Sequence, residues 1–265
     1  MNVLRSIAEA RAFRDGLAGV TVGFVPTMGA LHAGHASLIG RATRGNDRAI
    51  VSIFVNPTQF GPHEDFAAYP RDEAADLAWC ERLGVAMVFA PSTDEMYPPG
   101  DTTRVQPGRI AERLEGAARP GHFAGVASVV TKLFAIVRPD VAYFGQKDFQ
   151  QLRVIQTLAR DSRLGIRVVG CAIVREPDGL AMSSRNRYLS ADERRSALAL
   201  PRALRAAEDD WARGERDPGK LRDRVKRSAA GPRVSLEYVS VADPITLDEL
   251  ERPSDRAVVF VAARV

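Results

Sequence analysis

Two histidines, His32 and His35, stand three residues apart in the stretch Pro26-Thr27-Met28-Gly29-Ala30-Leu31-His32-Ala33-Gly34-His35. Residues at that spacing share one face of a helical turn, so both imidazoles can serve a single ligand. Residues 22–25 read as a buried strand and a helix is expected from about Gly34, which makes the stretch a strand, a tight turn and a helix start. A helix start offers backbone N–H groups without internal acceptors and the positive end of the helix dipole, and Gly29, Ala30, Ala33 and Gly34 leave room for close approach. Phosphate is the ligand that suits such a place. No Gly-Lys-Ser/Thr follows, which excludes a P-loop, and the Gly-x-Gly-x-x-Gly fingerprint of dinucleotide sites is absent. Cys80 and Cys171 lie far apart without ligand spacing, so no metal centre is expected. Two polar residues packing a helix start remain the alternative.

Other residues that can do chemistry are scattered along the chain. Gly145-Gln146-Lys147-Asp148 follows an apolar run at 141–144, where Lys147 is either a cation at a strand end or a surface lysine, and Asp148 a helix-capping acid or a site residue. Met182-Ser183-Ser184-Arg185-Asn186 follows a turn at 175–180, and Arg185 would bring a fixed fork of donors.

The elements that must position these residues alternate. Strands are expected at 22–25, 49–55, 85–90, 141–144 and 166–174, and helices from about 34, at 71–83, 126–137 and 147–163. Short apolar runs separated by amphipathic helices predict a parallel sheet covered on both faces, with ligands at the carboxyl ends of the strands. The loops after three of those strands carry the residues named above. Residues 91–125, rich in Pro, Gly and charge with a helical turn at 109–114, read as a lid over the cleft. Residues 1–14 read as a surface helix rather than a transit peptide, because Glu9 and Asp15 interrupt the arginines. From 191 the texture becomes charged, Ala-rich helix with strands near 235–241 and 257–263. The expected organisation is therefore α/β, a Rossmann-like doubly wound parallel sheet in residues 1–174 and a second, smaller α+β domain in residues 175–265.

The run from Pro26 to His35 resembles the His-x-x-His signature of the nucleotidylyl-transferase superfamily, and more closely that of the pantothenate synthetase family. The same family's other blocks occur in order: Asn56-Pro57-Thr58-Gln59-Phe60, Gly121-His122-Phe123, Gly145-Gln146-Lys147-Asp148 with Gln151, and Met182-Ser183-Ser184-Arg185-Asn186. The resemblance implies condensation of pantoate with β-alanine, driven by ATP with Mg²⁺ through a pantoyl adenylate, in a homodimer. It implies catalytic roles for His35, His32 and Lys147. An ATP site would comprise Met28, Gly29, Ala30, Leu31, His32, Ala33, Gly34 and His35, then Gly145, Gln146, Lys147 and Asp148, and Val174, Met182, Ser183, Ser184 and Arg185, with the smaller domain closing over it. Pantoate would be held by Pro26, Thr27, Met28, Gln59 and Gln151, and β-alanine by Asn56 and Gln59. Neutral amides suit that work, because each can bond a hydroxyl and a carboxylate oxygen at once. Asn56 and Gln59 as plain turn residues are the alternative. Another adenylyl transferase of the superfamily would leave Asn56, Gln59 and Gln151 without a task, and a regulatory nucleotide-binding module would not need His32, His35, Lys147 and Arg185 together.

Composition sets outer limits. At 265 residues the chain can bury one large or two modest cores, and 45% hydrophobic with 26% charged residues is ordinary for a globular protein. A net charge of +4, from 37 Lys and Arg mixed with 33 acids, suits small anions and gives no nucleic-acid footprint. Two cysteines offer no disulfide framework, and no stretch approaches a membrane span, so a cytoplasmic protein free of membrane and nucleic-acid partners is expected.

Overall fold

Alternate side chains along each central strand go to opposite faces of one sheet, and this period of two builds two separate cores. The computed structural model describes residues 1–62 and 64–265. In chain order the first unit contains β1 (Asn2–Leu4), α1 (Ile7–Asp15), β2 (Val22–Thr27), α2 (Ala33–Gly45), β3 (Arg48–Ile53), α3 (Glu73–Arg82), β4 (Met87–Phe89), α4 (Thr93–Met96), α5 (Glu115–Ala118), α6 (His122–Val137), β5 (Val141–Gly145), α7 (Phe149–Asp161) and β6 (Arg167–Cys171). Val22, Phe24, Ile50, Met87, Phe89, Ala142 and Phe144 join α6 and α7 in one core. Val25, Val51, Val88, Val141 and Tyr143 join Ile39 and Ala42 of α2 and Cys80 of α3 in the other.

Among the described residues six strands pair in parallel in the order β1-β4-β3-β2-β5-β6. The order runs outward one way from β2 through β3 and β4, and the other way through β5 and β6. The switch point therefore lies between β2 and β5, where open α/β sheets place their ligands. The loops after β2 and β5 carry the histidine pair and Lys147.

Two expectations are corrected in this unit. Residues 1–14 are not one helix: Asn2–Leu4 is an edge strand on β4, and the helix starts only after Ser6, whose side chain accepts the Glu9 N–H in a capping box. The segment 91–125 is docked rather than lid-like. Met96 is buried, Tyr97, Val105, Ile110 and Ala111 pack on the core, and Lys132 Nζ donates to the Met96 carbonyl. Gln150, only 4% exposed, accepts the Glu115 N–H and donates to the Ile110 and Arg113 carbonyls.

The second unit, Arg175–Val265, holds α8 (Ala191–Ala197), α9 (Ala199–Ala212), α10 (Pro218–Ala229) and the antiparallel pair β7 (Ser235–Ala242) and β8 (Val258–Arg264). Ala203 and Ala207 of α9 meet Leu221 and Val225 of α10 and Val241 of β7 in its own core. Its first residues form a turn in which Arg175 bridges Ala181.

Candidate active site

The loop after β2 is built around left-handed backbone at two consecutive residues, Gly29 (φ 80°) and Ala30 (φ 51°). Thr27 Oγ1 donates to the Ser52 carbonyl and accepts the Gly29 N–H, tying the loop to β3. His32 caps α2 in extended backbone, and its Nδ1 accepts the Gly34 N–H at 3.1 Å. His35 Nδ1 accepts the His32 N–H at 3.4 Å, and the rings stand 4.1 Å apart. An imidazole nitrogen that accepts carries no proton, so each neutral ring keeps its proton on Nε2. The pair thus presents two Nε2–H donors.

Burial is the main cause that pushes the His35 pKa down to about 3, reinforced by His32 and by Lys147 and opposed by Asp148. His35 is therefore a neutral donor at neutral pH. Lys147 and Asp148, from the turn after β5, thus lie within electrostatic reach of the ring. Lys147 Nζ donates to Asp148 Oδ1 at 3.1 Å, and that lysine is the largest cause holding the Asp148 carboxyl below its usual range, with smaller help from His122 and His35. Asp148 does not cap α7 with its side chain, so the capping expectation fails and the ion pair replaces it.

The sequence predicts a helix start with bare amides for phosphate. In the structure the N–H groups of Gly29, Ala30, Leu31, His32 and Gly34 already have acceptors in the protein. The donors this loop can turn toward an anion are mostly side chains, the two Nε2–H groups and the neighbouring Lys147 ammonium. Met28, Ala33 and Gly34 line the same turn at the surface or half-buried, while Gly29, Ala30 and Leu31 are buried beneath it.

The loop after β3 is organised by Asn56, which is 1% exposed. Its Nδ2 donates to Gln59 Oε1 and the Gly125 carbonyl, and its Oδ1 accepts from Thr58 Oγ1 and from Tyr97 OH. The family resemblance assigns Asn56 to β-alanine, and in the structure the same side chain also braces Gln59. Gln59 Nε2 reaches Met28 Sδ at 2.9 Å, which joins this loop to the histidine loop. The Gln59 carbonyl accepts from His122 Nδ1 at 2.8 Å and from Arg119, which is itself paired with Glu64 and Glu115. Sequence reasoning does not foresee that Arg119 and His122 bond this turn, although His122 stands in a quoted motif block; only the fold shows that the start of α6 abuts it.

Gln151 is half-buried on α7, one position from the structural Gln150, and Pro26 lies half-buried near the end of β2. Gln146 and Gly145 stand in the turn with Lys147, and Val174 ends the first unit, half-buried. In the second unit, Ser183 Oγ accepts the Arg185 N–H and opens a short turn over Ser184–Tyr188. Asn186 Nδ2 donates to Glu176 Oε1 and the Ala181 carbonyl, and Arg194 pairs with Glu176 and Asp178. These bonds fix Met182, half-buried, and the exposed Arg185 on a stiff turn.

A family model described as pantoate-beta-alanine ligase matches residues 2–265. The chain belongs to the pantoate–beta-alanine ligase family. It is 55% identical to the pantothenate synthetase of Roseiflexus sp. (strain RS-1) over 266 residues, covering 100% of this chain and 95% of that protein. The crystal structure of pantothenate synthetase from Thermus thermophilus matches with a TM-score of 0.94 at 44% identity, covering 100% of this chain and 95% of that one. The pantoate-beta-alanine ligase of Francisella tularensis, crystallised with beta-gamma ATP and beta-alanine, matches with a TM-score of 0.81 at 34% identity over 100% and 93% of the two chains. The family membership and the strand order agree on an α/β ligase of this type.

Proposed function

We propose that this chain joins pantoate to β-alanine at the expense of ATP: the pantoate carboxylate displaces pyrophosphate from ATP to form a pantoyl adenylate, and the amine of β-alanine then displaces AMP. The observation that carries this reading is the pair of neutral Nε2–H donors on His32 and His35 within electrostatic reach of Lys147 at the switch point of the sheet. A carboxylate attacking the α-phosphorus of ATP brings two anions together, and charge builds on phosphate oxygens as the bond to pyrophosphate breaks. Preorganised donors and a cation lower that barrier where water is partly excluded. Neutral imidazoles add a further advantage, since they donate without drawing the attacking carboxylate into a dead-end ion pair.

Gln59, Gln151, Pro26, Thr27 and Met28 are assigned to pantoate, and Gln59 reaches Met28 across the two loops. β-Alanine is assigned to Gln59 and Asn56, and Asn56 also holds the Gln59 amide. Ser183, Ser184 and Arg185 are assigned to ATP phosphates by the motif they complete, and Gly145 to Asp148 and Val174 to the nucleotide.

Mg²⁺ brought with ATP would supply positive charge against the phosphates of the leaving group. Among the described residues no group of three or more His, Cys, Asp or Glu stands ready to hold a metal, which fits a cation that arrives on the nucleotide and is held by phosphate and water. A homodimer is the expected assembly. A cytoplasmic setting suits Cys80 and Cys171, both unpaired and buried, and among the described residues no helix is long and apolar enough to cross a membrane. Product analysis tests the activity: AMP should appear only when ATP, pantoate and β-alanine are all present in stoichiometric turnover, whereas ADP as the nucleotide product would overturn it.

A further inference from the structure

We propose that Asp76 is the positioning residue that sets the histidine loop for catalysis, and that this is why an acid lies buried in α3. This rests on the adenylating role given above to His32 and His35. Asp76 is 2% exposed, and its two carboxylate oxygens are divided between two successive amides: Oδ2 accepts the Ala30 N–H at 2.8 Å and Oδ1 the Leu31 N–H at 2.7 Å. A bidentate grip on adjacent N–H groups fixes both the position and the direction of those peptide planes. Those planes lead straight into His32.

The grip also holds a costly conformation. Ala30 sits at φ 51°, a region that L-residues rarely enter, directly after Gly29 at φ 80°. A Cβ on Gly29 would stand 2.8 Å from Asp76 Oδ2 and 3.1 Å from Ile53 Cγ2, so the acid and β3 close on the loop from below. The neighbouring Cys80 thiol, pushed up to about 12 by burial and by the Asp76 charge, marks how little solvent reaches this spot. A core that needed only volume here would take an apolar residue. One carboxylate satisfies two successive amides of the loop from beneath, from the side of α3, and so sets the backbone that leads into His32 and His35.

Asp76→Asn tests this at constant volume. An amide has one acceptor oxygen, so its NH₂ would face the N–H of Ala30 or Leu31, and the loop loses one of its two ties. The expected result is a kcat for pyrophosphate exchange at least tenfold lower, with KM for pantoate changed less than threefold and a melting temperature that falls, because one buried amide loses its acceptor, yet stays above the assay temperature. Ala30→Gly, which adopts φ 51° without strain, should recover at least threefold of that loss in the double variant. A kcat within twofold of the parent, or a loss that tracks melting and is not recovered by Ala30→Gly, overturns the proposal. Should Asp76→Asn fail to fold, amide exchange in the unaltered protein decides: Ala30 and Leu31 must exchange as slowly as the interior of α2, and fast exchange rejects the grip. Absence of exchange activity in the parent protein would instead reject the adenylating role itself.

Discussion

The ring of His35 accepts the backbone N–H of His32 at 3.4 Å, while the His32 ring accepts the N–H of Gly34 at 3.1 Å. Each histidine thus orients the start of α2 with one nitrogen and keeps the other as a donor. The His35 contact is long, so its loss should cost the fold well under the ~1 kcal/mol of a good helix cap. Removing a preorganised donor from a developing oxyanion costs far more in rate, about 10²–10³-fold. His35→Ala should therefore melt close to the parent protein yet lose about two to three orders of magnitude in kcat. Thermal melts alongside steady-state rates check this, and near-normal turnover would remove His35 from the chemistry.

Acid should weaken the fold earlier than its carboxylates alone would allow. His35 titrates near pH 6.5 when unfolded and at about 3 when folded, and burial also lowers His122. Between those values the unfolded chain binds the extra proton at His35, so stability falls as pH falls, by up to ~1.4 kcal/mol per pH unit, and His122 acts in the same direction. Carboxylates with lowered pKa, such as Glu64 and Glu176, lose their stabilising ionisation only at lower pH. Urea unfolding at pH 7.5, 6.5, 5.5 and 5 isolates the histidine window. His35→Asn should flatten the slope, and an unchanged slope would contradict the buried neutral ring.

Substrate choice should separate from nucleotide binding. Gln59→Ala and Gln151→Ala are expected to weaken pantoate binding about tenfold or more, because a hydrogen-bonding site left unpaired loses on the order of 1–3 kcal/mol. ATP affinity should change little. Calorimetry with each ligand alone reads both numbers, and loss of ATP binding with pantoate binding intact would reverse the assignment.

Much of this arrangement is legible in the chain, and the exceptions share a cause. The strands at Val22–Thr27, Arg48–Ile53 and Val141–Gly145 announce themselves because buried parallel strands are continuous apolar runs. The loops after them follow from the strand ends. Asn2–Leu4 escapes because three residues carry no period and their partner, β4, lies more than eighty residues away. Docking of 91–125 escapes because it depends on Gln150 and Lys132, single polar residues whose partners in that segment no helical period reveals. Asp76 escapes for a similar reason: a lone acid in a charged helix looks solvated until its partners at Ala30 and Leu31 are seen. The occupied amides of the histidine loop escape too, since two of their acceptors belong to Asp76 in α3 and the others are side chains of Thr27, His32 and His35 turned back on the loop itself.

Gly125 offers a test of the brace around Gln59. A Cβ there would overlap the carbonyl group of Thr58 and stand 2.7 Å from the Gln59 nitrogen, both backbone atoms that cannot swing aside. Gly125→Ala should cost about 1–3 kcal/mol of stability, as overpacking does, despite the better helix propensity of alanine. Chemical denaturation reads the change. A variant as stable as the parent would show that α6 and the turn are free to separate.

The adenylate is tested most directly by isotope exchange without the amine. Enzyme, MgATP and pantoate alone should move labelled pyrophosphate into ATP, because the carboxylate attacks before β-alanine is needed and the leaving group can return. Oxygen-18 placed in the pantoate carboxylate should then appear in AMP once β-alanine is added. Exchange that requires β-alanine, or label found in inorganic phosphate with ADP as the nucleotide product, would contradict the account.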